Sequence, residues 1–554
     1  MKKIIIMLLC CFFAMACFSG CNNNDTNSSA ETGGEVNIEN DFGLDKSVLP
    51  VASPTTYTGK VDIHLVFGDT LPAWQSVVNE YNKFQPKVRV TLTNHTSAEY
   101  GDLLRQEVST DTDWDIFHGN YIGATVDRYA YDMYSDLSTK NYYSGGQIWR
   151  TVLESNAYTT GTTGRKITYI MNSESLLTSW FINEEAFKAA GIVDDNGAVK
   201  IPETWDELIE DCKKLKDAGY INPLGIAGNN DSITYSQFCW LLRVYGDQYY
   251  RDMLAKIQPV EGDYCYSTLG DPFVLDLNAE QPEAEDNYLV NVSRKYWTML
   301  DETSADFCGP KSEKYGEFIG QLAKMQPYVS TTFATDSLES VRANFVANRS
   351  DKTSPVILLD YLGSGLEIEN SMENAGERKF TLGMFDYPYM EGENVKTSFM
   401  RDVGGNGGYL SVMDHGNEQN AMTLDFIKFF MSPYGQSFYY DALLKTDATP
   451  DGISTVKGVA VPETWDSLFN NEKVTFTGLC DMNPYTSAML WTVEGRATVT
   501  QIHAEYIRLI FSGEDTIDDF QNKWQNALFD EYQIYFGEMG YRLDCYKYPE
   551  RNPI

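Results

Sequence analysis

The chain is poor in several features that would mark common function classes. It has five histidines, at positions 64, 95, 118, 415 and 503, without an HExxH motif or a ligand-like spacing, so no histidine metal site is expected. Ten cysteines occur in 554 residues and none forms a C-x-x-C pair, which argues against a structural zinc framework. Basic residues are scarce beside acidic ones, 43 against 79, giving a formal net charge of -36. So acidic a body is repelled by nucleic acid and by anionic lipid head groups. Beyond the amino terminus no stretch approaches the roughly 18 apolar residues of a membrane-spanning helix. The glycine-rich run Val403 to Gly408 lacks the Gly-Lys-Ser/Thr ending of a phosphate loop and has no helical pattern close behind it.

What is present begins with MKKIIIMLLCCFFAMACFSGC. Lys2 and Lys3 precede an apolar run that closes in small residues, as an export signal does. Phe18-Ser19-Gly20-Cys21 resembles the lipobox of bacterial lipoproteins, in which the signal is removed before the cysteine and the thiol is acylated. Residues 1–20 are therefore expected to be a signal peptide and Cys21 the lipidation site. Cleavage there removes two lysines and no acid, leaving a net charge of -38. Residues 21–57 are rich in Asn, Ser, Thr and Pro without apolar periodicity, and are expected to act as a tether. The folded part would then sit on the extracytoplasmic face of the cell membrane, held by lipid without entering the bilayer. Six further cysteines, Cys212, Cys239, Cys265, Cys308, Cys480 and Cys545, are read as buried thiols or one or two bridges, with no pairing assignable.

With 43% hydrophobic and 22% charged residues the bulk is a soluble globular protein, long enough for two or three domains. Val61 to Phe67 alternates as a strand, and Trp74, Val77, Val78, Tyr81 and Phe84 recur at helical spacing. Lys87 to Thr93 is a second strand, Tyr100, Leu103, Leu104 and Val108 mark a second helix, and Trp114 to Phe117 is a third strand. This β-α-β-α-β order implies a parallel sheet with helices on its faces, whose ligands lie at the carboxyl ends of the strands. The strand-like ITYIMNSESLLTSWFIN, residues 167–183, then leads into a helix ending at Gly191.

IPETWDELIEDCKKLKDAG, residues 201–219, is a helix entry: Thr204 is the cap, Glu207 completes a capping box, and Trp205, Leu208, Ile209, Cys212 and Leu215 form the stripe. Its partial echo VPETWDSLFNNEK, residues 461–473, loses the capping glutamate and then the stripe, which indicates shared helix-entry chemistry and not a duplicated domain.

Together WFINEEAFKAAGI, IPETWDELIEDCKKLKDAG and AMTLDFIKFFMSPYGQ resemble the extracellular solute-binding proteins of ABC importers, in their carbohydrate-binding, maltose-binding-protein-like cluster. VILLDYLGSGLEIE, FTLGMFDYPYMEG and VGGNGGYLSV follow the family's order between them, so the likeness covers roughly residues 60–225 and 335–445. Residues 245–330 and 470–554 carry few of its cues, and 261–288 reads as an acidic, aromatic insertion.

The resemblance implies an α/β fold of two periplasmic-binding-protein-like lobes (type II), each a mostly parallel sheet flanked by helices, joined by a multi-strand hinge. Lobe 1 would take residues 58–172 and 363–432, and lobe 2 residues 173–362 and 433–554. It further implies a monomer that captures a carbohydrate, an oligosaccharide, and delivers it to ABC permease subunits, with no cofactor, metal or covalent chemistry. A peptide or other non-sugar solute on the same fold, and a secreted glycosidase, are the alternatives.

A sugar offers apolar C–H faces and a rim of hydroxyls, so its site wants flat rings beside carboxylate, amide or guanidinium groups. At expected strand ends and crossovers the candidates are Asp69, Trp74, His118, Asn120, Glu174, Trp180, Trp240, Tyr361, Arg401 and Asp402. Trp74 and Trp240 also fall on helix stripes, where core packing is the competing reading.

Overall fold

The computed structural model describes residues 41–554 apart from 111, 155–156, 161–165, 176–177, 229–236, 267–271, 286, 374, 405, 447, 451, 466–477, 492–502, 504, 506–508 and 512. The strands used below are β1 Gly59–Leu65, β2 Val88–Asn94, β3 Ile116–His118, β4 Tyr158–Thr160, β5 Ile167–Ile170, β6 Ser173–Ser175, β7 Thr178–Asn183, β8 Leu224–Gly225, β9 Ile357–Tyr361, β10 Leu382–Phe385, β11 Asn406–Gly407, β12 Leu410–Val412 and β13 Gly452–Ser454. The helices used below are α1 Leu71–Phe84, α2 Ser97–Val108, α3 Glu184–Ala189, α4 Trp205–Asp217, α5 Gln237–Tyr250, α6 Asn417–Phe430, α7 Pro433–Lys445 and α8 Ile517–Glu538.

Two principal sheets organise the chain. The first is six-stranded in the order β2-β1-β3-β12-β5-β4, and the second four-stranded in the order β8-β9-β7-β10. β1 pairs in parallel with both β2 and β3, as the β-α-β-α-β reading requires, while β12 runs against β3. In the second sheet β7 runs against its neighbours β9 and β10, so most strands of each sheet point one way. A three-stranded sheet, β11-β6-β13, lies on the segments that carry the chain from the first sheet to the second. β6 is its central strand, pairing with β11 on one side and β13 on the other.

Local chemistry explains these elements. α1 buries Trp74, Val77, Val78 and Tyr81 at helical spacing. In α4 the Thr204 side chain accepts from the Glu207 N–H at 3.1 Å, whereas the Glu207 carboxylate reaches one residue further back than a standard box, to the Glu203 N–H at 2.8 Å. Gly219, at φ +100, ends that helix in the left-handed region that favours glycine. The buried face of α4, Trp205, Leu208, Cys212 and Leu215, adds about 1.5–3 kcal/mol per large apolar side chain. The echo lies in a different neighbourhood: Trp465 is buried edge-on to Tyr440 of α7, 5.5 Å away. Its continuation, Ser467 included, lies outside the described residues.

Several segments group differently from the expected boundaries. Residues 41–57, expected to belong to the tether, lie along the first unit: the Val51 N–H donates to the Tyr142 carbonyl at 2.8 Å and the Phe42 ring meets Tyr434 at 5.8 Å. β10, within the 363–432 stretch expected in lobe 1, is hydrogen-bonded to β7 of the second sheet. α7, within the 433–554 stretch expected in lobe 2, packs on α1, with Tyr439 at 5.7 Å from Trp74.

The stretches without family cues build a helical layer on the second sheet. In α8 the stripe Phe520, Trp524, Leu528, Tyr532 and Phe536 is buried, and Tyr532 meets Tyr296 at 4.8 Å. α5, covered by this layer, has every residue buried. Gln248 of this helix donates to the Met390 and Thr397 carbonyls, each at 2.9 Å. No disulfide joins any of the six cysteines from Cys212 to Cys545. Among the described residues no helix is long and apolar enough to cross a membrane.

Candidate functional site

The carboxyl ends of the first sheet are built on a bridging tyrosine. The Tyr100 hydroxyl donates to the His64 carbonyl of β1 at 2.6 Å and accepts from the His118 N–H of β3 at 2.9 Å, which fixes the two strand ends together. Beyond β1 the turn Gly68–Thr70 leaves Asp69 exposed. Beyond β3, Asn120 is exposed, and the Tyr121 ring packs against Tyr100 at 4.8 Å and His118 at 6.1 Å. Gly119 allows this close return, since a Cβ there would stand 2.2 Å from the Ser411 hydroxyl oxygen and 2.9 Å from Tyr169. Tyr409, at the facing end of β12, meets Tyr169 at 5.6 Å. This edge therefore presents Asp69, His118, Asn120, Tyr121 and Tyr409.

At the second sheet the ends nearest the crossings are the carboxyl ends of β9 and β10 and the amino end of β7. Tyr361 closes β9, half-buried, with the Trp240 ring of α5 at 4.6 Å. One turn along α5, Arg243 holds Asp481 in a bidentate ion pair, its Nε donating to Oδ1 at 2.7 Å. At the start of β7 the Thr178 hydroxyl lies 2.6 Å from that of Tyr387, and both the hydroxyl and the N–H of Thr178 donate to Asp402, at 2.7 and 3.1 Å. Burial pushes the Asp402 carboxyl up to about 8 against these hydrogen bonds. Asp402 also pairs with Leu479 through a parallel bridge, which brings the return segment carrying Asp481 alongside the crossing.

Several sequence candidates are packed or spent elsewhere. Trp74 lies in the core of the first unit, 4.3 Å from Phe430 and 5.4 Å from Phe67, so its faces are covered. Trp180 is buried within the second sheet, stacked 6.1 Å from Phe385. Arg401 is buried and donates to Asp247 at 2.6 Å and Glu283 at 2.8 Å, tying the insertion to α5. Trp240 is buried in this conformation, although its partner Tyr361 is not. Glu174 sits on β6, where its backbone pairs with Asn406 and Ile453; its side chain is outside what is described.

The residues that sequence reasoning passed over are Tyr121, Tyr409, Thr178, Arg243, Tyr387 and Asp481. Arg243 stood one helical turn after Trp240 and was legible as its neighbour. Asp481 had no signal, because it is brought in from 238 residues away.

Histidine was under-read as well. The 31-residue separation of His64 and His95 gave no ligand-like spacing, yet the parallel pairing of β1 with β2 sets His64 Nδ1 3.1 Å from His95 Nε2. Among the described residues no group of three metal-ligating side chains is arranged to hold an ion. Burial pushes both the His64 and His118 imidazoles down to about 4. A ring whose folded pKa lies below its unfolded value of 6.5 contributes stability that is complete above that pH. The contribution is lost as pH falls toward about 4, because the unfolded chain binds the proton first. The melting-temperature gap between the wild type and His118→Gln is thus expected to shift against the wild type between pH 6.5 and 4.5, measured by circular dichroism. A gap that stayed constant would mean the ring is already solvated.

A cavity of about 80 Å³ opens at the amino end of β9, lined by Asn222, Leu224, Asn344, Arg349 and Pro355. It is far below the roughly 300–1,000 Å³ of a ligand cleft and lies at the opposite end of the strand from Tyr361.

Residues 67–285 match the model of the family described as bacterial extracellular solute-binding protein. That pattern covers less than half of the chain. Solved structures extend the likeness over most of the molecule. A chitin oligosaccharide binding protein is 14% identical, with 86% of this chain and 99% of that chain covered at a TM-score of 0.54. The cyclic α-maltosyl-1,6-maltose binding protein from Arthrobacter globiformis is 15% identical, with 85% and 98% covered at 0.52. A family 1 extracellular solute-binding protein from Bifidobacterium longum subsp. infantis is 15% identical, with 85% and 99% covered at 0.50. At such identity the likeness is one of fold: two α/β units joined by crossing strands. No curated protein sequence matches the chain. The solute-binding pattern ends before the return segment, so Asp481 lies outside it.

Proposed function

We propose that the chain is the capture component of an ABC importer, anchored through a lipid on Cys21 at the extracytoplasmic face of the membrane. It closes its two α/β units around an oligosaccharide and passes it to a membrane permease, with no covalent step. The observation that carries this reading is the placement of two polar, aromatic strand edges on either side of the three-stranded crossing β11-β6-β13. The first edge offers Tyr121, Tyr409, Asn120 and Asp69, and the second Tyr361 and Asp481. Rings with carboxylates and amides suit the C–H faces and hydroxyl rim of a sugar. Solved proteins of this fold whose names state a ligand include binders of chitin oligosaccharide and of cyclic α-maltosyl-1,6-maltose, which favours the same class here.

A guest that touches both edges favours the shut form, since only contacts made in one state shift an equilibrium. Gly408 supports such a hinge: it sits between β11 and β12 at φ +75, where a Cβ would stand 1.7 Å from the Asn172 side-chain oxygen. Calorimetry of the soluble form against maltotriose, triacetylchitotriose, raffinose and xylotriose is expected to give a dissociation constant near micromolar, about -8 kcal/mol, for at least one of them. The sugar is expected back unchanged. Silence across the panel alongside a peptide hit would retire the carbohydrate reading, and release of shorter sugars would make the protein a glycosidase.

A further inference from the structure

The Arg243–Asp481 pair has a feature that a purely structural ion pair does not need. The Arg243 side chain is 10% exposed, whereas the carboxylate of Asp481 is 28% exposed. The guanidinium is sunk into α5 and fixes the carboxylate from behind, leaving its outer lone pairs toward solvent. The place matters as much as the exposure. Asp481 stands two residues beyond Leu479, which bridges to Asp402 at the crossing, and Arg243 lies one turn from Trp240, whose ring meets Tyr361. A half-buried ring and a rigid acceptor thus share the end of the second sheet nearest the crossing.

We infer that Asp481 is a specificity-determining ligand contact, oriented by Arg243, that accepts hydroxyls of an uncharged sugar and turns away glycans carrying carboxylate or sulfate. The inference rests on the carbohydrate reading above and deepens it. A carboxylate held in place by a bidentate guanidinium keeps acceptor sites that two neighbouring sugar hydroxyls can reach, without a further loss of rotamer freedom on binding. Arg243 is already neutralised by its partner, so an anionic sugar arriving there meets the uncompensated field of a body with a formal net charge of -36. Asp481 comes from the return segment, outside the matched residues 67–285.

The test is calorimetry of the wild type, Asp481→Ala, Asp481→Asn and the double variant Arg243→Met with Asp481→Leu against the neutral panel and against trigalacturonate. The wild type is expected to bind a neutral oligosaccharide and not trigalacturonate. Asp481→Ala is expected to weaken the neutral sugar by about tenfold to a hundredfold, the scale of hydrogen bonds to a charged group. Asp481→Asn, which keeps one acceptor, should fall between. The double variant removes both charges together, so no cation is left stranded, and its affinity should drop while its melting temperature stays near that of the wild type. Unchanged affinity in Asp481→Ala and in the double variant, or wild-type binding of trigalacturonate as tight as that of the neutral sugar, overturns the inference alone. Silence of the wild type on every sugar overturns the carbohydrate reading and this inference with it.

Discussion

Asp247→Ala is expected to lower the unfolding free energy by about 3–5 kcal/mol, the cost of breaking a buried charge cluster by removing one partner. The Asp247 carboxylate accepts from Arg401 at 2.9 and 2.6 Å, from Arg251 at 3.2 and 2.6 Å and from Asn483 at 3.0 Å, with both guanidiniums fully buried. Burial opposes ionisation of this carboxyl, but the Arg401 and Arg251 charges outweigh it and hold the group below the usual carboxylate range. Arg401 continues to Glu283, and Arg251 to the Leu277 and Phe399 carbonyls at 2.7 and 2.9 Å. The cluster therefore pins the insertion, the crossing segment and the return segment onto α5. Without Asp247, the partners left among the described residues are two carbonyls and the Phe399 ring for Arg251, and Glu283 and a carbonyl for Arg401. Urea denaturation followed by fluorescence measures the loss, and a change below about 1 kcal/mol would show that water enters to solvate the arginines.

Trp180→Ala carries the second large effect, about 3–5 kcal/mol, because the cavity left at the centre of the second sheet cannot collapse between β9 and β10. Trp180→Phe is expected to cost far less. It retains a ring against Phe385 and removes an indole N–H that finds no acceptor among the described residues. The pair of variants separates core from platform. A core role predicts that Trp180→Phe binds sugar like the wild type and melts only slightly lower, whereas a stacking platform would lose affinity with little change in melting.

Much of the architecture was legible because it is local. The alternation of Val61 to Leu65, the stripe of α1 and the Thr204 cap with Glu207 are decided within a few residues, and each appears where its periodicity put it. Side-chain fate was less legible. Trp74 satisfied both a helix stripe and a strand-end position, and the contact that covers it comes from Phe430, 356 positions away. Arg401 and Asp402 looked like exposed polar groups at a crossover, yet Arg401 is enclosed by Asp247 and Glu283, 154 and 118 positions off.

The sequence by itself determined the β-α-β-α-β opening and the type of each early element, because hydrophobic period and capping chemistry act over single turns and strands. Only the tertiary structure decided which sheet β10 and α7 join, that the late helices cover α5, and that Asp481 stands beside Arg243. Those outcomes depend on burying apolar surface and pairing buried charge across hundreds of positions, and no short-range pattern encodes which distant partner will complete either.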